Sequence, residues 1–362
     1  MTAIRTITHI RPTHTNKTSQ VLQAAEQYWF PQIPAEVARV AGRIMESADI
    51  DQRCSVMPLD VVFGDLSFEE KNNLYITSSK QLAKAALEKA LVQSQLEARD
   101  IDFIISTSCT GFMIPSVDAY VVDELNMKQD IVRLPVTEMG CAGGTSALIY
   151  AHNFLRANPN KRAAIIAVET PSLTFQKYDY SMENIVSTAI FADGVSCLIL
   201  EGEELTKQIP SAKYHIEDYT MYHFPKALHL MGYQLQNSGL KIVLDRDVPN
   251  QIQEHLPNIF KSFTQKKNLG IEDIQHFYLH PGGKKIIAQA EKLLAGFGKD
   301  VELSKGVLKN RGNMSSATIL HILESAIEQH QLGERVIRPG DHAYMLAFGP
   351  GFSAHSLLLR WS

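Results

Sequence analysis

Cysteine is scarce in this chain, and the four residues it has are far apart: Cys54, Cys109, Cys141 and Cys197. No C-x-x-C pair exists, which excludes a zinc ribbon or a thioredoxin-type redox site. Isolated cysteines in a chain of 362 residues point to a reducing compartment. No Lys/Arg run is present, and the net charge of −4 gives no electrostatic footprint for nucleic acid or for an acidic membrane surface. No apolar run reaches the length of a membrane span. The opening "MTAIRTITHIRPTHTNK" is polar and basic throughout and lacks the apolar stretch of a secretory signal. Low-complexity and Pro/Ser-rich linkers are also missing. These absences lead to the expectation of a cytoplasmic protein that binds neither nucleic acid nor membrane and holds no metal.

What is present is the composition of a globular protein, 45% hydrophobic and 20% charged. The length suggests two domains, or one domain with an internal duplication. Apolar, strand-like runs occur at "DFIIST" (102–107), "AAIIAV" (163–168), "VSCLIL" (195–200), "HFYLH" (276–280), "AYMLAF" (343–348) and "SLLLR" (356–360). Helical periodicity appears at 80–93, 142–157, 250–263, 284–295 and 316–328. Continuous apolar strands separated by amphipathic helices indicate an α/β fold with both sheet faces covered. A short internal repeat supports duplication: "RDIDFIISTSCTG" (99–111) echoes "EDIQHFYLHPGG" (272–283), and "RAAIIAVET" (162–170) echoes "HAYMLAFGPG" (342–351).

Four places carry chemistry-bearing residues. In "EMGCAGGT" (138–145), Cys141 stands between glycines after the apolar run "IVRLPV". A strand that ends in a tight turn and restarts as a helix would hold this thiol at a helix N-terminus, which favours the thiolate. The alternative is a small core cysteine among glycines that permit close packing. In "YLHPGG", His280 ends an apolar strand, where α/β sheets place catalytic groups, although a lone histidine also serves structurally. Asn313, in "GNMSSA" (312–317), precedes a helix; it, Ser315 or Ser316 caps that helix, or the Asn313 amide serves an oxyanion. Gly349-Pro350-Gly351 reads as a hairpin turn or a rigid pocket loop. Cysteine, histidine and asparagine, each at an element end, form a nucleophile, base and oxyanion set. Cysteine hydrolases and thioester-condensing enzymes both use such a set, and spacing does not separate them.

The ordered motifs "GCAGG", "FADG" (191–194), "HPGG", "GNMSSA" and "FGPG" (348–351) resemble those of type III polyketide synthases, the chalcone and stilbene synthase superfamily. "STSCTGFMIPS" (106–116) resembles the bacterial branch. The resemblance runs from about residue 35 to the end of the chain. It implies a thiolase fold, five αβαβα layers from two duplicated halves, divided here as 1–225 and 226–362. It implies a homodimer, with Ile114 reaching toward the partner's cavity. It implies iterative decarboxylative condensation of malonyl-CoA onto a starter acyl-CoA carried on Cys141. His280 would pair with the Cys141 thiolate, and His280 with Asn313 would stabilise the enolate oxyanion. CoA thioesters are substrates, and no cofactor is implied.

The same resemblance implies a substrate cavity formed with Phe191 as gatekeeper, Ile242 at the second gatekeeper position, Cys109, Thr174, Ser315, Phe348, Gly349 and Pro350. Arg43 matches a basic CoA position in "VARVAGRIMES". Other basic positions are lost, at Val40 and Ser47, so Arg39 or Arg53 is the expected substitute. Ile242 stands where plant relatives have phenylalanine, and Pro171 and Cys109 replace threonines. These changes favour an aliphatic starter, cyclised to a pyrone, resorcinol or phloroglucinol-type product. The alternatives are a ketoacyl synthase III-like enzyme that condenses once, and a catalytically silent scaffold of the same fold.

Overall fold

The six apolar runs of the sequence are all strands of one nine-stranded sheet. The computed structural model describes residues 1–208, 214–267 and 269–362. The first half of the chain contributes β1 (Thr2–Ile10), β4 (Phe103–Thr107), β5 (Val132–Val136), β6 (Arg162–Glu169) and β7 (Gly194–Glu201) to that sheet. The second half contributes β8 (Tyr214–His223), which precedes the expected division at 225/226, with β11 (His276–Leu279), β12 (His342–Gly349) and β13 (Ser353–Trp361). Two small ribbons stand apart, β2 (His14–Lys17) with β3 (Gln52–Ser55), and β9 (Met231–Gln236) with β10 (Gly239–Leu244).

The helices are α1 (Thr18–Tyr28), α2 (Ala35–Glu46), α3 (Leu59–Val62), α4 (Phe68–Ser94), α5 (Val117–Glu124), α6 (Gly143–Ala157), α7 (Met182–Ile190) and α8 (Glu203–Gln208), followed by α9 (Val248–Lys267), α10 (Lys284–Ala295), α11 (Glu302–Arg311) and α12 (Thr318–Gln331).

Strand order confirms the duplication. The first half runs β1-β7-β6-β4-β5 and the second β8-β13-β12-β11, so each strand of the second half has a counterpart in the first, and only β5 has none. The directions agree as well: two antiparallel pairings and then a parallel one in each half. The halves join where Thr2–Ile4 of β1 pairs with Tyr214–Ile216 of β8. Both short sequence echoes fall on counterparts, β4 with β11 and β6 with β12.

Alternation along the strands explains the layers. Phe103 and Ile105 of β4 pack with α6 and α12, whereas Ile104 packs with α4. Tyr278 and Met345 face α12, whereas Phe277, Leu279, Tyr344 and Leu346 face α9 and α10. Successive side chains of a strand point to opposite faces, so a continuous apolar strand is one buried on both sides. The result is five layers: α4 and α5, the first half-sheet, α6 with α12, the second half-sheet, and α9 with α10.

Two strands of the main sheet, β1 and β8, escaped the sequence reading, as did those of the two ribbons. The opening residues looked polar, yet β1 sits in the middle of the sheet. Its Thr and Ile side chains suit a pleated strand, and its polar groups are matched. Thr8 Oγ1 donates to the Ala86 carbonyl, and Arg5 approaches Glu201 at 3.9 Å.

The glycines after Cys141 are required by the middle layer. A Cβ on Gly144 would lie 2.3 Å from the Ser316 carbonyl oxygen, and one on Gly143 2.3 Å from Thr107 Oγ1. The start of α6 thus touches the start of α12 backbone to backbone. Gly144→Ala is expected to destabilise the protein by about 1–3 kcal/mol, the usual effect of overpacking. Gly306→Ala, in α11 where a Cβ would meet nothing within 4 Å, is expected to be neutral or to stabilise by about 0.5–1 kcal/mol. Denaturant unfolding of the two variants beside the parent checks both signs.

Candidate active site

The four chemistry-bearing places converge at the starts of α6 and α12 and the ends of β11 and β12. Cys141 lies in a 3-10 turn, Gly140–Ala142, directly ahead of α6. Gly140 has φ of +48°, and a Cβ there would lie 2.6 Å from Pro350 Cδ. A Cβ on Gly349 would lie 2.4 Å from the Met139 carbonyl oxygen. The Gly349-Pro350-Gly351 turn joins β12 to β13 as the hairpin reading expected, and it also braces the cysteine turn.

Asn313 is fixed at both ends of its peptide. Its N–H donates to the Ile190 carbonyl and its own carbonyl accepts from Ala192, each at 2.9 Å, forming a bridge with Phe191. The side-chain Oδ1 accepts from Ser315 N at 2.9 Å and Thr318 Oγ1 at 3.3 Å. The oxygen thus ties down the turn that leads into α12, and Asn313 also lines the cavity. Asp193 of "FADG" secures the same segment by accepting from Val56 N (2.7 Å), Ser172 N (2.9 Å) and Ser172 Oγ (2.5 Å).

The cavity is narrow, with about 40 Å³ open to the centre of a water-sized sphere. Cys141, His280, Asn313, Phe191, Ile242, Cys109, Ser315, Phe348 and Pro350 all line it, as expected. Thr174 stands behind the wall, where its side chain meets the Tyr233 hydroxyl. Gly349 braces the turn and does not line the cavity. Ile114 is fully exposed and lies outside this chain's own cavity. Arg43 and Arg39 are exposed on α2, and among the described residues neither pairs with a carboxylate. Arg53 is unsuited to holding a CoA phosphate. It is buried, and its NH1 donates to the Thr188 and Ala189 carbonyls at the C-terminus of α7, where the helix dipole favours a cation.

The electrostatics correct one expectation. Cys141 is 9% exposed, and burial pushes its thiol up to about 12, outweighing the helix end. Burial lowers His280 to about 3. Neither His280 ring nitrogen has a hydrogen-bond partner among the described residues, so the expected thiolate–imidazolium pair is not formed. A closed apolar cavity disfavours both charges, and the two groups rest neutral. Cys141 Sγ instead faces Ser315 Oγ at 3.8 Å.

Sequence reasoning missed Glu169, Met231, Tyr233, Leu244 and Ile286. Glu169 ends β6 and is fully buried; it accepts from Cys109 N (3.0 Å), Thr110 Oγ1 (2.9 Å) and Ser316 Oγ (2.5 Å). Burial raises its pKa against those donors. A carboxylate directly following the apolar run "AAIIAV" was the available signal. The other four come from the β9–β10 ribbon and α10, whose sequence has no such mark.

Among the described residues, His9, His321 and Glu324 have metal-ligand spacing. The place of a cation is filled by Arg311, whose NH1 lies 2.6 Å from His321 Nδ1 and 3.5 Å from Glu324 Oε2.

Comparison with known proteins gives the same picture over the whole chain. Residues 8–224 match the model of the FAE1/type III polyketide synthase-like proteins, and residues 218–361 that of the chalcone and stilbene synthase C-terminal domain. A 1,3,6,8-tetrahydroxynaphthalene synthase of Streptomyces peucetius subsp. caesius is 33% identical over 88% of this chain and 83% of its own. A putative chalcone synthase of Bacillus subtilis is 30% identical over 94% of both. The crystal structure of 1,3,6,8-tetrahydroxynaphthalene synthase from Streptomyces coelicolor A3(2) superposes with a TM-score of 0.88 at 26% identity, covering 99% of each chain.

If His280 is the base for the Cys141 thiol, removing it leaves a buried thiol that stays protonated well past neutrality. In His280→Ala, alkylation of Cys141 by iodoacetamide at pH 7 is expected to slow about tenfold or more, and to climb about tenfold per pH unit toward pH 10. The parent profile is expected to be flatter. Superimposable profiles, measured by intact-protein mass against time, would exclude His280 as that base.

Proposed function

The chain belongs to the type III polyketide synthases, the chalcone and stilbene synthase family, and on that footing we propose that Cys141, His280 and Asn313 are its condensing centre. It is an acyl-transferring condensing enzyme, and its family uses acyl-CoA and malonyl-CoA. The observation that carries the assignment of residues is their meeting in one cavity, with the Asn313 oxygen tied back by Ser315 and Thr318.

In this reading Cys141 Sγ attacks the thioester carbonyl of the starter while neutral His280 accepts its proton. The departing CoA thiolate takes that proton from the imidazolium, leaving the acyl group on Cys141 and His280 neutral again. Malonyl-CoA then binds. Loss of CO₂ leaves an enolate whose negative charge grows on the thioester oxygen, where an N–H of His280 and the Asn313 amide donate. No side chain removes a proton from carbon, because CO₂ departs in its place. The enolate carbon attacks the Cys141 thioester, and the chain, longer by two carbons, transfers to CoA. Phe191, at the junction of cavity and entrance, presents an apolar ring beside the carboxylate that is lost.

The starter in this reading is a short aliphatic acyl group. Met231, Ile242, Leu244, Ile286 and Phe348 make much of the lining apolar. The same narrow cavity must also take the end of the pantetheine arm and the growing chain. Arg39 and Arg43 are the groups proposed for the CoA phosphates. The assembly is proposed as a homodimer through the loop at Phe112 and Ile114, which exposes apolar side chains that a partner would cover.

Malonyl-CoA, alone and with a panel of acyl-CoAs, is expected to give products of two or more extensions by mass spectrometry. A single condensation, or hydrolysis with no new carbon–carbon bond, would overturn this function. Cys141→Ala should lose both acyl loading and product. Asn313→Ala should still load Cys141 but lose about 10²–10³-fold in malonyl decarboxylation. For the dimer, Ile114→Asp is expected to shift the sedimenting species toward monomer; an unchanged dimer would put the interface elsewhere.

A further inference from the structure

The β9–β10 ribbon belongs to neither half-sheet. Tyr233 pairs with Ile242 and Met231 with Leu244. Directly opposed residues of antiparallel strands share a face, and this face lines the cavity. An isolated two-stranded ribbon is marginal by itself, so its position depends on what holds it from outside.

Two buried side chains hold its tip. Lys71, on α4 and 9% exposed, donates from Nζ to the Phe175 carbonyl at 2.7 Å and to the Ser238 carbonyl, in the turn of the ribbon, at 3.4 Å. Gln176, also buried, donates from Nε2 to the Thr174 carbonyl at 3.0 Å and to the Leu240 carbonyl at 3.3 Å. Gly239, between those two ribbon contacts, has φ of +122°, and a Cβ there would lie 3.2 Å from Gln176 Nε2. The same clamp bears on Thr174, whose side chain meets the Tyr233 hydroxyl. A buried ammonium whose hydrogen-bond acceptors are carbonyls is costly to desolvate, and burial lowers Lys71 to about 8 with Asp65 opposing. A methionine would fill the space at less cost to the fold. The lysine's distinctive contribution is its hold on the ribbon.

We propose that Lys71, aided by Gln176, is a positioning residue for polyketide chain length: by clamping the ribbon tip to α4 it sets the distance of the Met231–Tyr233–Ile242–Leu244 wall from Cys141. Lys71 touches no reacting atom, so it acts through the wall. A wall displaced by about an ångström changes how far the chain grows before it cyclises and leaves Cys141 acylation intact. This inference rests on the polyketide reading above.

The test compares Lys71→Met, Lys71→Arg and Gln176→Leu with the parent. Each is incubated with malonyl-CoA and the starter on which the parent works best, at a temperature below every variant's Tm. Product masses are resolved by chain length, and Cys141 acylation is followed by intact-protein mass. For Lys71→Met and Gln176→Leu, the ratio of the parental product to products of other lengths is expected to fall about threefold or more, with acylation within about twofold of the parent. Lys71→Arg, which keeps the donors, should recover part of the ratio. If Lys71→Met does not fold, Gln176→Leu decides by the same readout. A parental length distribution in the folded variants, or a parallel loss of acylation and product, would overturn the proposal. A parent that makes no polyketide would instead remove the functional reading beneath it.

Discussion

Everything at the catalytic end of the molecule depends on one close approach, that of the first turn of α6 to the first turn of α12. Gly144 faces the Ser316 carbonyl with no room for a single carbon. That contact brings together the turn holding Cys141 and the turn holding Asn313. The bridge between Asn313 and Phe191 then extends the alignment to the entrance of the cavity. Helix starts concentrate unsatisfied N–H groups. Two of them meet here in the middle layer, at one end of the cavity.

The same enclosure sets the resting charge state. Taking the Cys141 thiol and the His280 imidazole out of water disfavours the ions of both. Glu169, a few bonds away through Ser316 and Cys109, is held by three donors and still feels burial more strongly than their support. The carboxylate that malonyl-CoA would carry in, and then lose as CO₂, would enter surroundings that favour neutral species.

Most of the scaffold could be read from residues alone. Apolar strands buried on both faces leave a continuous signature, so β4, β6, β7, β11, β12 and β13 stood out, and their similarity pointed to duplication. Strand β1 did not, because its polar side chains are matched by contacts such as Arg5 with Glu201 that no local pattern records. Cys141, His280 and Asn313 were legible because each sits at an element end marked by glycine or proline. The thiol's charge state was not, since it depends on the desolvation of a closed cavity and on no neighbour in sequence. Arg53 looked like a surface cation and proved to be a buried helix cap. The β9–β10 wall was also silent: half of its residues face the cavity and half do not, and the alternation is too short to stand out.

The matching strand orders carry one more meaning. Exchanging the two halves maps the start of α6 onto the start of α12 and the end of β4 onto the end of β11. Cys141 therefore trades places with the turn ahead of α12, beside Asn313, and Thr107 at the end of β4 with the position of His280. The cavity takes Cys141 from the first copy and His280 and Asn313 from the second. Neither half can form the site alone, so the extended interface between them is as much a part of the chemistry as the residues that line it.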